Sequence, residues 1–120
     1  MQKLVGNNFD EVIFSVTLYG ATDLTFSERY RLSMVFREVL ERILGSAQDV
    51  IHFQCEYNRI INKYEGTPLP LTATGDERLL VTRWENAYEA ALGAAFVAVF
   101  GTLDQAPEEA HFEIQEESDS

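Results

Sequence analysis

Apolar residues recur at Leu32, Val35, Phe36, Val39, Leu40, Ile43 and Leu44, a wide stripe with the period of an α-helix. Ahead of it, Thr25-Phe26-Ser27-Glu28 has the T-x-x-E form of a capping box, and Gly45 stands where a helix would stop. The pattern predicts a helix over 26–44. Ser46 caps the next segment, where Val50, Phe53, Tyr57, Ile60 and Tyr64 repeat as a 3-4-3-4 seam widened by Ile51, Cys55 and Ile61. Val50–Tyr57 also alternates like a strand, but the longer seam favours a helix over 47–65, stopped by Gly66 and Pro68. With only Gly45-Ser46 between them, these two helices should form an antiparallel hairpin.

Residues 66–75 carry two prolines and two glycines and read as a loop. Thr74-Gly75-Asp76-Glu77 repeats the capping-box logic and opens a long helix over 76–100, with Leu80, Trp84, Tyr88, Ala91, Ala95 and Val99 on one face. From Ala90 to Phe100 that helix is apolar nearly all round, which predicts burial on most sides. Gly101 ends it.

The first segment carries two patterns. Asn8-Phe9-Asp10-Glu11 resembles a helix start and Gly20 a helix stop, and Phe9, Val12, Ile13, Val16 and Tyr19 fit helical spacing. Those end signals favour a helix over 9–19. The same stretch alternates Val12, Phe14, Val16 and Leu18 with Ile13, Ser15, Thr17 and Tyr19, all good strand formers. A strand over 11–19 would find its partner at 110–115, where Phe112 and Ile114 alternate with polar neighbours. The expected fold is therefore mainly α, a single-domain helical bundle, with an α+β domain as the alternative. Composition shifts after Pro107, which suggests a helical domain over 1–107 and an acidic, partly disordered tail over 108–120.

Charge sharpens this division. The formal net charge is −11, and Gly101–Ser120 contributes −7 of it without a single Lys or Arg, leaving −4 for residues 1–100. A pI near 4.4 argues against direct binding to nucleic acid and favours partners with basic surfaces. The most apolar run, 90–101, falls short of the roughly 20 residues that span a bilayer. The N-terminus lacks the apolar core of a signal peptide, and one cysteine cannot form an internal disulfide, so a cytoplasmic setting is expected.

Catalytic and metal signatures are weak. His52 and Cys55 share a helix face, yet one Cys and two His cannot complete a Cys/His zinc site. Cys55 with His111 is the only Cys/His pair type, without a local signature, and Cys55 is expected to be a buried core residue. The acidic pairs Asp10-Glu11 and Asp76-Glu77 sit where helix starts favour negative charge. The seven glycines are scattered singly, so no phosphate loop can be built. No cofactor, metal or catalytic residue is assigned. Tyr57, Tyr64, Trp84 and Tyr88 have core spacing, with Trp84 the one expected to be half exposed.

Two non-enzymatic readings remain. In the first, the chain is an inhibitor or regulator that engages a basic, nucleic-acid-binding surface of a protein partner through Asp76, Glu77, Trp84, Glu85, Glu89, Glu108, Glu109 and Glu113. Size, pI and an acidic C-terminus are similar to phage-type DNA-mimic inhibitors of restriction or other host nucleases. That resemblance is one of composition, with no shared motif and no residue carried over. It implies charge held on a rigid face, whereas helix 26–44 is slightly basic and most of the net negative charge lies beyond Phe100. In the second reading, the Ala/Gly-rich half of the last helix and the Trp84/Tyr88 face serve self-association, as in a homodimer or an assembly subunit.

Overall fold

Helix α1 (Phe26–Leu44) starts at a reciprocal cap: the Glu28 backbone N–H donates to Thr25 Oγ1 at 3.1 Å, and the Thr25 N–H donates to Glu28 Oε1 at 2.9 Å. The structure, a computed structural model, describes residues 13–104 and 106–117. Helix α2 (Ala47–Tyr64) is capped by Ser46, and helix α3 (Gly75–Phe100) repeats the reciprocal cap with Thr74 and Glu77. Strand β1 (Ile13–Tyr19) precedes the helices and strand β2 (His111–Glu117) follows them. The architecture is thus a single, mostly helical small domain with a two-stranded antiparallel sheet.

Strand β1 corrects the helix expected over 9–19; residues 9–12 of that segment lie outside the described ones. Its physical basis is the period-two pattern. Phe14 and Leu18 are buried, Val16 is half-buried, Thr17 and Tyr19 are exposed, and the backbone of 13–19 pairs residue by residue with 111–117. Gly20, read as a helix stop, does other work. It has φ +80, and a Cβ there would lie 2.2 Å from the Glu109 carbonyl oxygen, so it lets the exit of β1 pass close to the entry of β2. The ladder pairs Val16 with Ile114 and Leu18 with Phe112.

The acidic end is correspondingly not a free arm over its described length. Ala110, Phe112 and Ile114 are buried, and the strand runs on to Glu117; residues 118–120 lie outside the described ones. His111, Glu113, Gln115 and Glu117 alternate outward, as the strand period requires.

α1 sends Leu32, Phe36, Leu40 and Leu44 into the core at a four-residue interval, and packs more extensively on α3 than on α2, its immediate successor. The small residues Ala87, Ala91 and Ala95 of α3 belong to the same cluster and let the large α1 side chains approach the helix axis closely. Burying each large apolar side chain contributes about 1.5–3 kcal/mol. The C-terminal half of α3 is less enclosed than its composition suggests: Ala90, Val97 and Ala98 are exposed beside buried Ala91, Ala95 and Phe96. On α2 the expected seam holds, with Val50 and Ile60 buried and Phe53, Tyr57 and Tyr64 half-buried, but Cys55 does not join it. Cys55 is exposed, and Gln54 faces β2 instead, its amide donating to the Ile114 carbonyl at 2.9 Å.

Aromatic contacts join the layers. Phe36 of α1 stacks on Phe112 of β2 at 4.1 Å and meets Tyr88 of α3 edge-on at 5.3 Å. The Tyr88 hydroxyl accepts from the Phe112 N–H at 2.7 Å and donates to the Phe112 carbonyl at 3.1 Å. In an antiparallel ladder, residues whose backbone groups point away from the partner strand alternate with those that pair. Phe112 and Ile114 therefore present their polar groups to α3 and α2, where Tyr88 and Gln54 satisfy them. Removing the hydroxyl leaves both Phe112 groups without a partner. Tyr88→Phe should lose about 1–3 kcal/mol, seen as a lower urea midpoint at unchanged slope; an unaltered midpoint would show that the Tyr88 hydroxyl does not anchor the strand.

Candidate functional site

Where α2, α3 and the segment entering β2 meet, the surface opens into a cavity of about 520 Å³. It is lined by Tyr57, Trp84, Glu85, Tyr88, Glu89, Leu92, Pro107, Glu108 and Ala110. A second hollow of about 230 Å³ shares Tyr57, Trp84 and Tyr88 with it and continues over Gln54, Asn58 and Glu113 toward β2. The two make one groove. A volume of this order is that of a ligand-sized cleft.

Helical periodicity places the walls. Trp84 and Tyr88 lie four residues apart on α3, as do Glu85 and Glu89 one position along, so an aromatic row and a carboxylate row run side by side. Tyr57 leans in from α2, its ring centroid 6.0 Å from that of Trp84, and Trp84 lies 6.4 Å from Tyr88. Glu108 supplies a carboxylate from the loop before β2, and Glu113 one from the strand itself. The Tyr57 hydroxyl points to Glu85 at a long 3.4 Å. Burial and then the nearby Glu85 charge raise the Tyr57 pKa; burial is also the main cause that raises the Tyr88 pKa.

The groove's lining includes no Lys or Arg. Six of the chain's nine Lys and Arg residues are engaged elsewhere. Arg29 donates to the Leu18 and Ala21 carbonyls, Arg78 to the Pro70 carbonyl, and Arg59 to Glu56. Arg37 lies 4.7 Å above the Phe14 ring and bonds Glu41; Arg83 lies 4.9 Å above Phe53. Lys63 pairs with Glu77 at 3.0 Å.

Of the eight residues expected to bind a partner, Trp84, Glu85, Glu89, Glu108 and Glu113 converge on this groove. The other three do not. Asp76 lies in the first turn of α3, and Glu109 faces a different cavity with Gly20, Asp23 and Glu28. Glu77 is structural: besides the cap, its carboxylate accepts from Tyr64 at 2.7 Å and from Lys63. Trp84 differs from expectation in being only 6% exposed, the groove's floor rather than a protruding anchor. Tyr57 and Tyr88, read as core, are half-buried and complete that floor. The parallel 84/88 and 85/89 rows were a visible clue to the groove; its third wall comes from β2, whose fold-back the chain's local patterns left open.

Cys55, His52 and His111 are all exposed, and His111 pairs with Glu113 at 3.3 Å. Among the described residues no group of three or more His, Cys, Asp or Glu is arranged to hold a metal ion, and no helix is long and apolar enough to cross a membrane. Comparison with known proteins gives no matching family model, no similar curated protein and no similar solved structure.

The Glu77 pKa is lowered to about 2, first by the Thr74 backbone N–H and then by Tyr64 and Lys63. A depressed carboxylate stabilises the fold fully above its ordinary pKa of 4.5, and that contribution fades as pH falls toward about 2. Wild type should therefore exceed Glu77→Gln in thermal stability at neutral pH, with the gap narrowing as pH drops below 4.5. A pH-independent gap would show that the carboxylate's charge contributes nothing.

Proposed function

We propose that this chain is a non-enzymatic protein-binding protein, an inhibitor or regulator that occupies the basic, nucleic-acid-binding surface of a partner in the manner of a DNA mimic. The observation that carries the reading is the return of the acidic C-terminal segment onto the helices. It sets Glu108 and Glu113 on the same groove as Glu85 and Glu89, with no cation among the lining residues. Carboxylates on a strand and a helix hold fixed spacings, so the mimicry that composition suggests gains an ordered face. Complementary fields of this kind speed encounter and select partners. An anti-defence role against a host nuclease fits the same chemistry.

The test is inhibition. Proteins retained by the immobilised chain at low ionic strength should include DNA-binding proteins, released as salt rises. The soluble chain should block their binding to duplex DNA, and Glu85→Lys/Glu89→Lys should weaken that block by at least tenfold. Retention insensitive to salt, or partners that bind DNA and this chain together, would overturn the reading.

A second reading, assembly with another copy of the chain, draws on the exposed Ala90, Val97 and Ala98 flank of α3. Light scattering on the full chain checks it: a concentration-dependent dimer supports this reading, and a monomer at the highest soluble concentration removes it.

A further inference from the structure

We propose that the groove captures an arginine side chain presented by an extended segment of the partner protein. This deepens the reading above and rests on it. Three features select the occupant. First, the floor is aromatic: Trp84 with Tyr57 and Tyr88 at centroid distances of 6.0 and 6.4 Å. Aromatic faces attract cations, and a planar guanidinium stacks on them better than a compact, strongly hydrated ammonium.

Second, carboxylates from two elements line the groove, Glu85 and Glu89 on α3 and Glu108 on the segment before β2. Acids held on two separate elements suit a cation broad enough to reach several of them at once. The forked donors of a guanidinium do so, and Leu92 and Pro107 offer apolar surface to its methylene stem. Glu85 and Glu89 are also like charges four residues apart, a mildly destabilising arrangement that a bound cation reverses.

Third, the Trp84 indole is more than nine-tenths buried, yet its N–H has no hydrogen-bond partner among the described residues. A buried donor of this kind is normally satisfied. A backbone carbonyl flanking the arginine is an acceptor that could satisfy it. Free arginine is a poorer fit, because its own carboxylate would enter a groove that already holds four. The smaller hollow over Asn58 and Glu113 leaves room for the neighbouring residues of a peptide.

Trp84 is the only tryptophan, so its emission reports on this groove alone. The probe is a short peptide, blocked at both ends, with one arginine among glycines and serines. Parallel peptides carry lysine or the neutral isostere citrulline, and free arginine is the fourth ligand. The arginine peptide should shift Trp84 emission saturably by millimolar concentration, lysine should bind several-fold more weakly, and citrulline should not bind. Glu85→Gln/Glu89→Gln should weaken the arginine peptide about tenfold, the scale of one lost charge-assisted hydrogen bond. Asp76→Asn, which alters net charge away from the groove, should leave binding unchanged.

Equal response to arginine and citrulline, no response to arginine, or equal loss in Asp76→Asn overturns the assignment. If it falls while the chain still blocks DNA binding by its partner, the broader reading stands without arginine capture. If the peptide binds but no partner is inhibited, the broader reading fails alone.

Discussion

A single hydroxyl decides how this chain ends. Tyr88 both gives and takes a hydrogen bond with the backbone of Phe112, and Phe36 closes against both rings. A two-stranded ribbon is marginal in water and must lean on something larger. Here it leans on α1 and α3 through those rings, while Gln54 of α2 satisfies the next carbonyl. The free edge of β2 thereby acquires side-chain partners instead of remaining a template for another strand. With Phe112 and Ile114 committed inward, the pleat leaves Glu113, Gln115 and Glu117 no choice but to face out. The acidic face is a consequence of how the core is closed.

Charge distribution follows a similar logic. Arg29, Arg37, Arg78 and Arg83 are drawn to carbonyls and ring faces where strands, loops and helices meet, and Lys63 is tied to the start of α3. The acids split into two populations. Glu28, Glu41, Glu56 and Glu77 work inside the fold, at caps and in pairs with these cations. Glu85, Glu89 and Glu108 have no Lys or Arg partner among the described residues, and Glu113 has only His111. One group of unpaired carboxylates therefore gathers around the aromatic floor, while Asp76, Glu109 and other exposed acids lie away from it. The described part of the terminal segment packs onto the helices, and among the described residues its carboxylates make no ion pair with an arginine.

Elements governed by local rules were legible in the sequence. Both T-x-x-E boxes and the Ser46 cap set helix starts because a cap involves only residues three apart. Glu77 could be recognised as structural for the same reason, although its bonds to Tyr64 and Lys63 come from another helix. The first segment misled because Gly20 satisfies two rules at once: a glycine with positive φ ends a helix, and it equally permits the close passage of two backbones. Only the arrival of Glu109, 89 positions later, decides between them. Trp84 and Cys55 were misplaced in opposite directions, one expected too exposed and one too buried, because helical spacing alone does not fix how far round a helix its neighbours cover it. The groove was half legible: its α3 rows are written at four-residue spacing, whereas Tyr57, Glu108 and Glu113 join them only through tertiary folding.

Electrostatics and stacking make different contributions at such a groove. Surface carboxylates act over about 10 Å at moderate salt and mainly raise the rate of encounter. They discriminate poorly among basic partners, since any cluster of cations satisfies them. The half-buried rings act only at contact, where water has been expelled, and there they lengthen the life of a complex that charge has brought together. A purely charged mimic would dissociate as readily as it associates. Under the proposed capture of an arginine, Trp84 beneath the carboxylates would add a second, short-range criterion: one correctly presented side chain would be held while the surrounding acids steered the rest of the basic surface into register.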